Sequence, residues 1–236
     1  MAYNTNTIER DLEIFSIKQK LKNMMSFYML QAWTIDNGEY LEKWAHREDC
    51  SLMMPWGCYS GYEGVVRCYQ VDHGFVMDNP IDPGMTKALS GALYIHTVTT
   101  PVIEVAEDMQ TARGMWWSNG TEGNGLNGGD FSLMGWGGWM WGGYCVDFIK
   151  EDGEWKIWHM IHQPRILSHF TECWNEIPPY EGFTTGDSCQ DRQWEKQIYQ
   201  YSVDKMHTGW DMPIPRPYKT FDDVAPGYSY GVYANV

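Results

Sequence analysis

The chain has 236 residues and a formal charge of −14, yet only 20% of its residues are charged, against 15% aromatic with 13 Trp and 15 Tyr. That length suits one generous domain with or without an appendage, and the wealth of aromatics excludes a disordered chain. The acidic balance argues against a nucleic-acid groove or an anionic membrane surface, because both need clustered Lys and Arg.

Residues 7–36 read as one long helix. Thr7 suits an N-cap, Glu9 and Asp11 suit the first turn, and apolar residues recur at Ile8, Leu12, Phe15, Leu21, Met25, Tyr28 and Ala32. Asn37 and Gly38 would close it. Short helices are expected over 39–46 and 61–73, the second after the turn-rich Pro55, Trp56 and Gly57. From Gly91 the texture changes to Val, Ile and Thr, which predicts a strand over 93–106, a turn at Glu107 to Gln110, and a return strand over 111–117.

Residues 118–143, rich in Gly and Trp, read as a long loop or irregular hairpin, followed by strands over 139–150 and 154–166 joined at Asp152-Gly153, a strong hairpin signal. Helices first and an antiparallel meander second is α+β organisation, which disfavours a dinucleotide-binding sheet. Past His169 the chain interleaves Pro with Trp and Tyr. This predicts a domain over 1–170 and, over 171–236, an extended arm lying on that domain or on a neighbouring subunit, with a short helix over 191–201. Six scattered cysteines without a Cys-x-x-Cys pair fit reduced thiols. With no basic region and apolar run at the start, and no apolar run of membrane-spanning length, the expected location is cytoplasmic.

Three residues stand out for chemistry. Asp36, a carboxylate at a helix C-terminus, faces the negative end of the dipole; it either starts the Asp-Asn-Gly turn or has a cationic partner. His96, in the first strong strand, would share a face with Val98 and Val102; it is either a satisfied core histidine or a base held by a carboxylate. Arg165 follows the parity of Trp155, Ile157, His159 and Ile161, and would meet either an anionic substrate group or a rim acid. His159 and His162, three apart on a strand, point to opposite faces and make a poor metal pair.

The order of motifs resembles the SnoaL-like branch of the nuclear-transport-factor-2-like superfamily. The motifs are Asp36-x-Gly38-x-Tyr40, Gly61-x-x-Gly64, His96 five residues before Pro101, Thr111-Ala112-Arg113-Gly114-x-Trp116, and Asp147-Phe148 ahead of Glu151-Asp152-Gly153-x-Trp155. The likeness covers about residues 8–170 and is greatest to the bile-acid 7α-dehydratases, with scytalone dehydratase and the ketosteroid isomerases more distant.

The resemblance implies a curved antiparallel sheet wrapped around helices as a cone or α+β barrel with a deep apolar pocket. It assigns Asp36, His96 and Arg165 to catalysis. The family's helix Tyr falls at Gln31, with Tyr28 one turn earlier as its substitute, and the nearest counterpart of the acid that assists the His is Glu122. Trp33, Tyr59, Trp116, Trp141 and His159 are expected to contact the substrate. The expected activity is a cofactor-independent, metal-free dehydratase acting on a hydrophobic polycyclic or aromatic hydroxy-carbonyl compound, in a dimer or trimer of the chain. An isomerase or cyclase with the same dyad, a non-catalytic ligand-binding or structural subunit, and a carbohydrate platform made of the Trp-rich segment are the alternatives.

Overall fold

The computed structural model describes residues 5–31, 38–54, 57–69, 93–123, 137–176, 201, 203, 206 and 212–229. The first helix, α1, spans Thr5–Gln31, so Thr7 lies inside it and is not its cap. Ile17, Leu21, Met25 and Tyr28 recur at spacings of four and three, and these side chains are buried. Ile8, Leu12 and Phe15, expected in the same stripe, are 42%, 62% and 63% exposed. The early turns are instead fastened by polar contacts: Arg10 donates to the Glu107 carbonyl at 2.7 Å and Lys18 to Glu104 at 3.2 Å. Helix α2 is a single turn, Gly38–Leu41, and α3 spans Gly61–Arg67. The rest of the helix expected over 61–73 and the one expected over 191–201 fall wholly or largely outside the described residues.

Among the described residues, seven strands form one mixed sheet: β1 (Ser51–Met54), β2 (Gly57–Ser60), β3 (Leu93–His96), β4 (Thr99–Val105), β5 (Thr111–Gly123), β6 (Gly137–Glu151) and β7 (Glu154–His169). The order is β2-β1-β7-β6-β5-β3, with β4 also on the β5 edge, so among the described residues the sheet is open and not a closed barrel. All pairs are antiparallel except β1 with β7, which corrects the expectation of a purely antiparallel sheet. The β1–β2 hairpin went unread because Ser-Leu-Met-Met lacks the β-branched residues that advertise a strand.

Asp152 (φ 51°) and Gly153 (φ 84°) make the tight turn joining β6 to β7. Both strands flanking the glycine-rich segment run further than expected: β5 continues to Gly123 and β6 begins at Gly137. Strand pairing is a backbone matter, and here Gly120↔Met140 and Glu122↔Gly138 continue a ladder through residues of low strand propensity. The fold is thus α+β, with helices against one face of a large sheet.

Side chains alternate across the sheet. On the inner face Trp116, Tyr144, Val146, Phe148, Ile157 and Met160 pack with Leu21, Met25, Tyr28 and Tyr59. On the outer face Met115, Cys145 and Ile161 pack with Met53, Cys58, Met212 and Tyr228. Residues 212–229 therefore lie against the outer face, with Tyr218 and Tyr228 buried.

Two bulges reset the alternation of β7. Asp147 pairs with His159 while Phe148 pairs with Ile157, leaving Trp158 as the extra residue; Trp141 pairs with Ile166 while Gly142 pairs with Pro164, leaving Arg165 extra. The shared parity of Ile157, His159, Ile161 and Arg165 expected from regular alternation is thereby broken. Ile157 faces inward, whereas His159 and Ile161 face outward.

Candidate functional site

His96 ends β3 directly opposite Gly120 of β5. Two residues to either side of Gly120, and on the same face of the strand, stand Ser118 and Glu122. The imidazole is fully buried and lies along β5 between them. Its Nε2 is 2.6 Å from Glu122 Oε1 and its Nδ1 is 3.4 Å from Ser118 Oγ. A carboxylate accepts, so Nε2 carries the hydrogen donated to Glu122, and Nδ1 is left to accept from the serine hydroxyl.

Glycine at 120 makes this arrangement possible. A Cβ there would collide with the ring, coming within 2.5 Å of His96 Nδ1 and of the Met140 carbonyl oxygen. His96 does not share its face with Val102 as expected. The strand is interrupted between β3 and β4, and Val102 is 38% exposed while His96 turns inward.

Aromatic rings surround the pair. His162 of β7 lies flat on Tyr144 of β6, with centroids 4.2 Å apart and planes at 4°, and meets His96 edge-on at 5.4 Å. Tyr28 of α1 meets Tyr144 edge-on at 6.0 Å and hydrogen-bonds the hydroxyl of Tyr69. Burial pushes both the Tyr28 and Tyr144 phenols above their ordinary value, and the nearby Glu122 charge adds to the effect at Tyr144. Both hydroxyls therefore remain protonated and able to donate.

Of the residues singled out in the sequence, His96, Tyr28, Tyr59 and Trp116 lie on the inner side. Tyr59 and Trp116 belong to the same buried cluster as Tyr28. Asp36 and Trp33 lie outside the described residues. The carboxylate seen on His96 is Glu122, brought within reach because β5 runs on through the glycine-rich stretch. Arg165 sits in the second β7 bulge, half-buried, and its carbonyl accepts from the Tyr201 N–H at 2.8 Å.

Two expectations are corrected. Trp141 faces outward, 39% exposed, and crosses Trp139 at 79°, so these two rings form neither a pocket wall nor a flat sugar platform. His159 also faces outward, with Nδ1 3.0 Å from Asp147 and Nε2 3.1 Å from the Asp49 carbonyl oxygen. Ser118, Tyr144 and His162 were not singled out for the site. His162 was set aside with the metal reading, although its position on the face opposite His159 was legible from strand periodicity.

Residues 46–161 match the model of the SnoaL-like domain, a span that contains His96, Ser118, Glu122 and Tyr144. No curated protein sequence matches the chain. Among solved structures, a type 2 hexachlorocyclohexane dehydrochlorinase (LinA) aligns at 14% identity and TM-score 0.52 over 71% of this chain and 98% of its own. The type 3 enzyme from Novosphingobium barchaimii LL02 aligns at 14% identity and TM-score 0.51 over 71% and 99%. A nuclear-transport-factor-2-like superfamily protein from Salmonella enterica aligns at 15% identity and TM-score 0.45 over 67% and 98%. The strands β3 and β5 that seat His96 lie within the span 46–161 that matches the SnoaL-like domain, and the fold is that of the aligned dehydrochlorinase structures.

Proposed function

We propose that the chain is a cofactor-independent lyase that eliminates water from a hydrophobic, flat alcohol carrying a nearby carbonyl. The observation that carries the reading is the buried His96–Glu122 pair, 2.6 Å apart, among the rings of Tyr28, Trp116, Tyr144 and His162. A carboxylate that takes the Nε2 hydrogen directs the basicity of the ring to Nδ1. Nδ1 would remove the acidic proton beside the carbonyl, and the imidazolium, steadied by Glu122, would return a proton to the leaving hydroxyl.

Charge developing on the carbonyl oxygen would be met by a protonated phenol, Tyr28 or Tyr144, or by Arg165. Asp36 could assist from the end of α1. Apolar surroundings strengthen each of these interactions by excluding water. The dehydrochlorinases aligned above are named for an elimination, the same reaction class. A homodimer or homotrimer is the proposed assembly.

The test is a panel of polycyclic and aromatic hydroxy-ketones incubated with the protein and followed by mass spectrometry for loss of water. His96→Gln should reduce turnover by about 10²–10⁴-fold, the usual contribution of a general base. A product of unchanged mass would move the assignment to isomerase. Turnover left intact by His96→Gln would remove His96 from the chemistry.

A further inference from the structure

The row Ser118–His96–Glu122 has more in it than an acid/base pair. A hydroxyl, an imidazole and a carboxylate stand in line: Ser118 Oγ is 3.4 Å from Nδ1, and Nε2 is 2.6 Å from Glu122 Oε1. The hydroxyl-to-base distance is longer than an ideal hydrogen bond, as is common for such pairs before substrate arrives. Ser118 is fully buried, Glu122 is 8% exposed, and the ring between them is fixed by the glycine seat at 120. Across the ladder, Ser118 pairs with Gly142 of β6, so its partner on that strand carries no side chain.

We propose that Ser118 is a nucleophile activated by His96 and Glu122, which gives the inner site an acyl-transfer activity toward esters of flat aromatic alcohols. This does not rest on the elimination reading, since it needs only the three-residue geometry. Ser118 Oγ bonds to the ester carbonyl carbon as its proton passes to His96 Nδ1. The tetrahedral oxyanion collapses, the bond to the alcohol oxygen breaks, and that oxygen leaves with the proton from Nδ1.

Water then attacks the acyl-serine, giving a proton to Nδ1. On the second collapse Oγ recovers it, so one ester and one water become one acid and one alcohol. Glu122 keeps the ring oriented and balances the imidazolium in both halves, as in serine–histidine–acid sites on unrelated folds. Tyr144 and His162, two residues along β6 and beside it on β7, supply hydrogen-bond donors on the same face for the oxyanion.

The full chain is incubated with diisopropyl fluorophosphate and, separately, with p-nitrophenyl acetate, and the adducts are mapped by peptide mass spectrometry. A single phosphoryl or acyl group on Ser118 is expected. It should be absent in Ser118→Ala and form at least about 10²-fold more slowly in His96→Gln, the scale of losing a positioned base. Glu122→Gln, which keeps the seat of the ring filled, should also slow it, and near-UV circular dichroism establishes that each variant is folded. Absence of a Ser118 adduct with both reagents, or an adduct rate unchanged in folded His96→Gln or Glu122→Gln, overturns the proposal. Because labelling is read by mass and elimination by loss of water, either reading can fail while the other stands.

Discussion

On the inner face His96 meets Glu122 at 2.6 Å; on the outer face His159 meets Asp147 at 3.0 Å. Both pairs are buried, yet their surroundings differ. Asp147 also accepts from Arg113 Nε at 3.0 Å and from the Tyr228 N–H at 2.5 Å, and the Arg113 guanidinium stacks on the Tyr228 ring at 4.2 Å. His159 has its second nitrogen on the Asp49 carbonyl. The Asp49 carboxylate accepts from Trp158 and Arg47, and the Arg47 guanidinium holds it below the usual carboxylate range.

Those contacts tie strands β5, β6 and β7 to the segment 212–229 that covers them. On the inner face, by contrast, the described polar partners of His96 are a hydroxyl and a carboxylate in series, an arrangement that can pass a proton. A buried histidine–acid pair is therefore not by itself a site; what surrounds its remaining polar atoms decides.

The largest effect should come from breaking the outer hub. Asp147→Ala leaves the buried Arg113 guanidinium, His159 and the Tyr228 N–H without their shared acceptor. Removing one partner of a buried ion pair typically costs about 3–5 kcal/mol. Urea unfolding should register a loss of that size and exposure of the segment 212–229 to protease. Glu122→Ala removes an acceptor from a ring with a second hydrogen-bonding group, so its loss should be nearer about 1–3 kcal/mol. Equal losses for the two variants would erase the distinction drawn between the faces.

A smaller effect separates the two faces of β5 itself. Gly120→Ala puts a methyl group against the His96 ring and the Met140 carbonyl. Overpacking of this kind costs about 1–3 kcal/mol, and displacing the ring should also abolish the proposed chemistry. Asn119→Ala, one residue away on the outer side and exposed, should change stability by no more than about 0.5 kcal/mol and leave turnover alone. If Gly120→Ala keeps full activity, the ring has another seat.

What could be read beforehand follows from which forces are local. The β6–β7 hairpin was legible because Asp152-Gly153 dictates its own turn, and α1 because its buried stripe repeats at helical spacing. His96 was legible because an isolated imidazole in a Val- and Ile-rich strand is costly unless it is satisfied. Its partner Glu122 was legible only through the family resemblance, because it sits among glycines whose strand character comes from pairing with β3 and β6.

The facing of His159 was misread for a different reason. A bulge costs nothing visible in the sequence, yet one extra residue moves every later side chain to the opposite face. Long α1 was likewise expected to bury its whole apolar stripe, but Ile8, Leu12 and Phe15 of its early turns are exposed.

The smallest effect tests whether the inner aromatic wall is as closed as the outer one. Tyr28 and Tyr144 on the inner side, and Tyr218 and Tyr228 under the outer segment, all have phenols pushed above the ordinary value of 10.0, in each case chiefly by burial. For a group whose folded value is raised, stability is fully present below the unfolded value and is lost as pH rises through the folded one. The stability these tyrosines contribute should therefore be held up to about pH 10 and lost progressively above, because the unfolded chain gives up these protons first. Tyr28→Phe deletes one hydroxyl of the Tyr28–Tyr69 pair, costs about 1 kcal/mol near neutral pH, and removes the Tyr28 contribution to the alkaline loss. Phenolate absorbance followed against unfolding by circular dichroism provides the readout: the buried tyrosines should ionise only as the fold opens. If ionisation of Tyr144 precedes unfolding while that of Tyr228 does not, water reaches the inner wall in the folded protein, and the two faces differ in access as well as in hydrogen bonding.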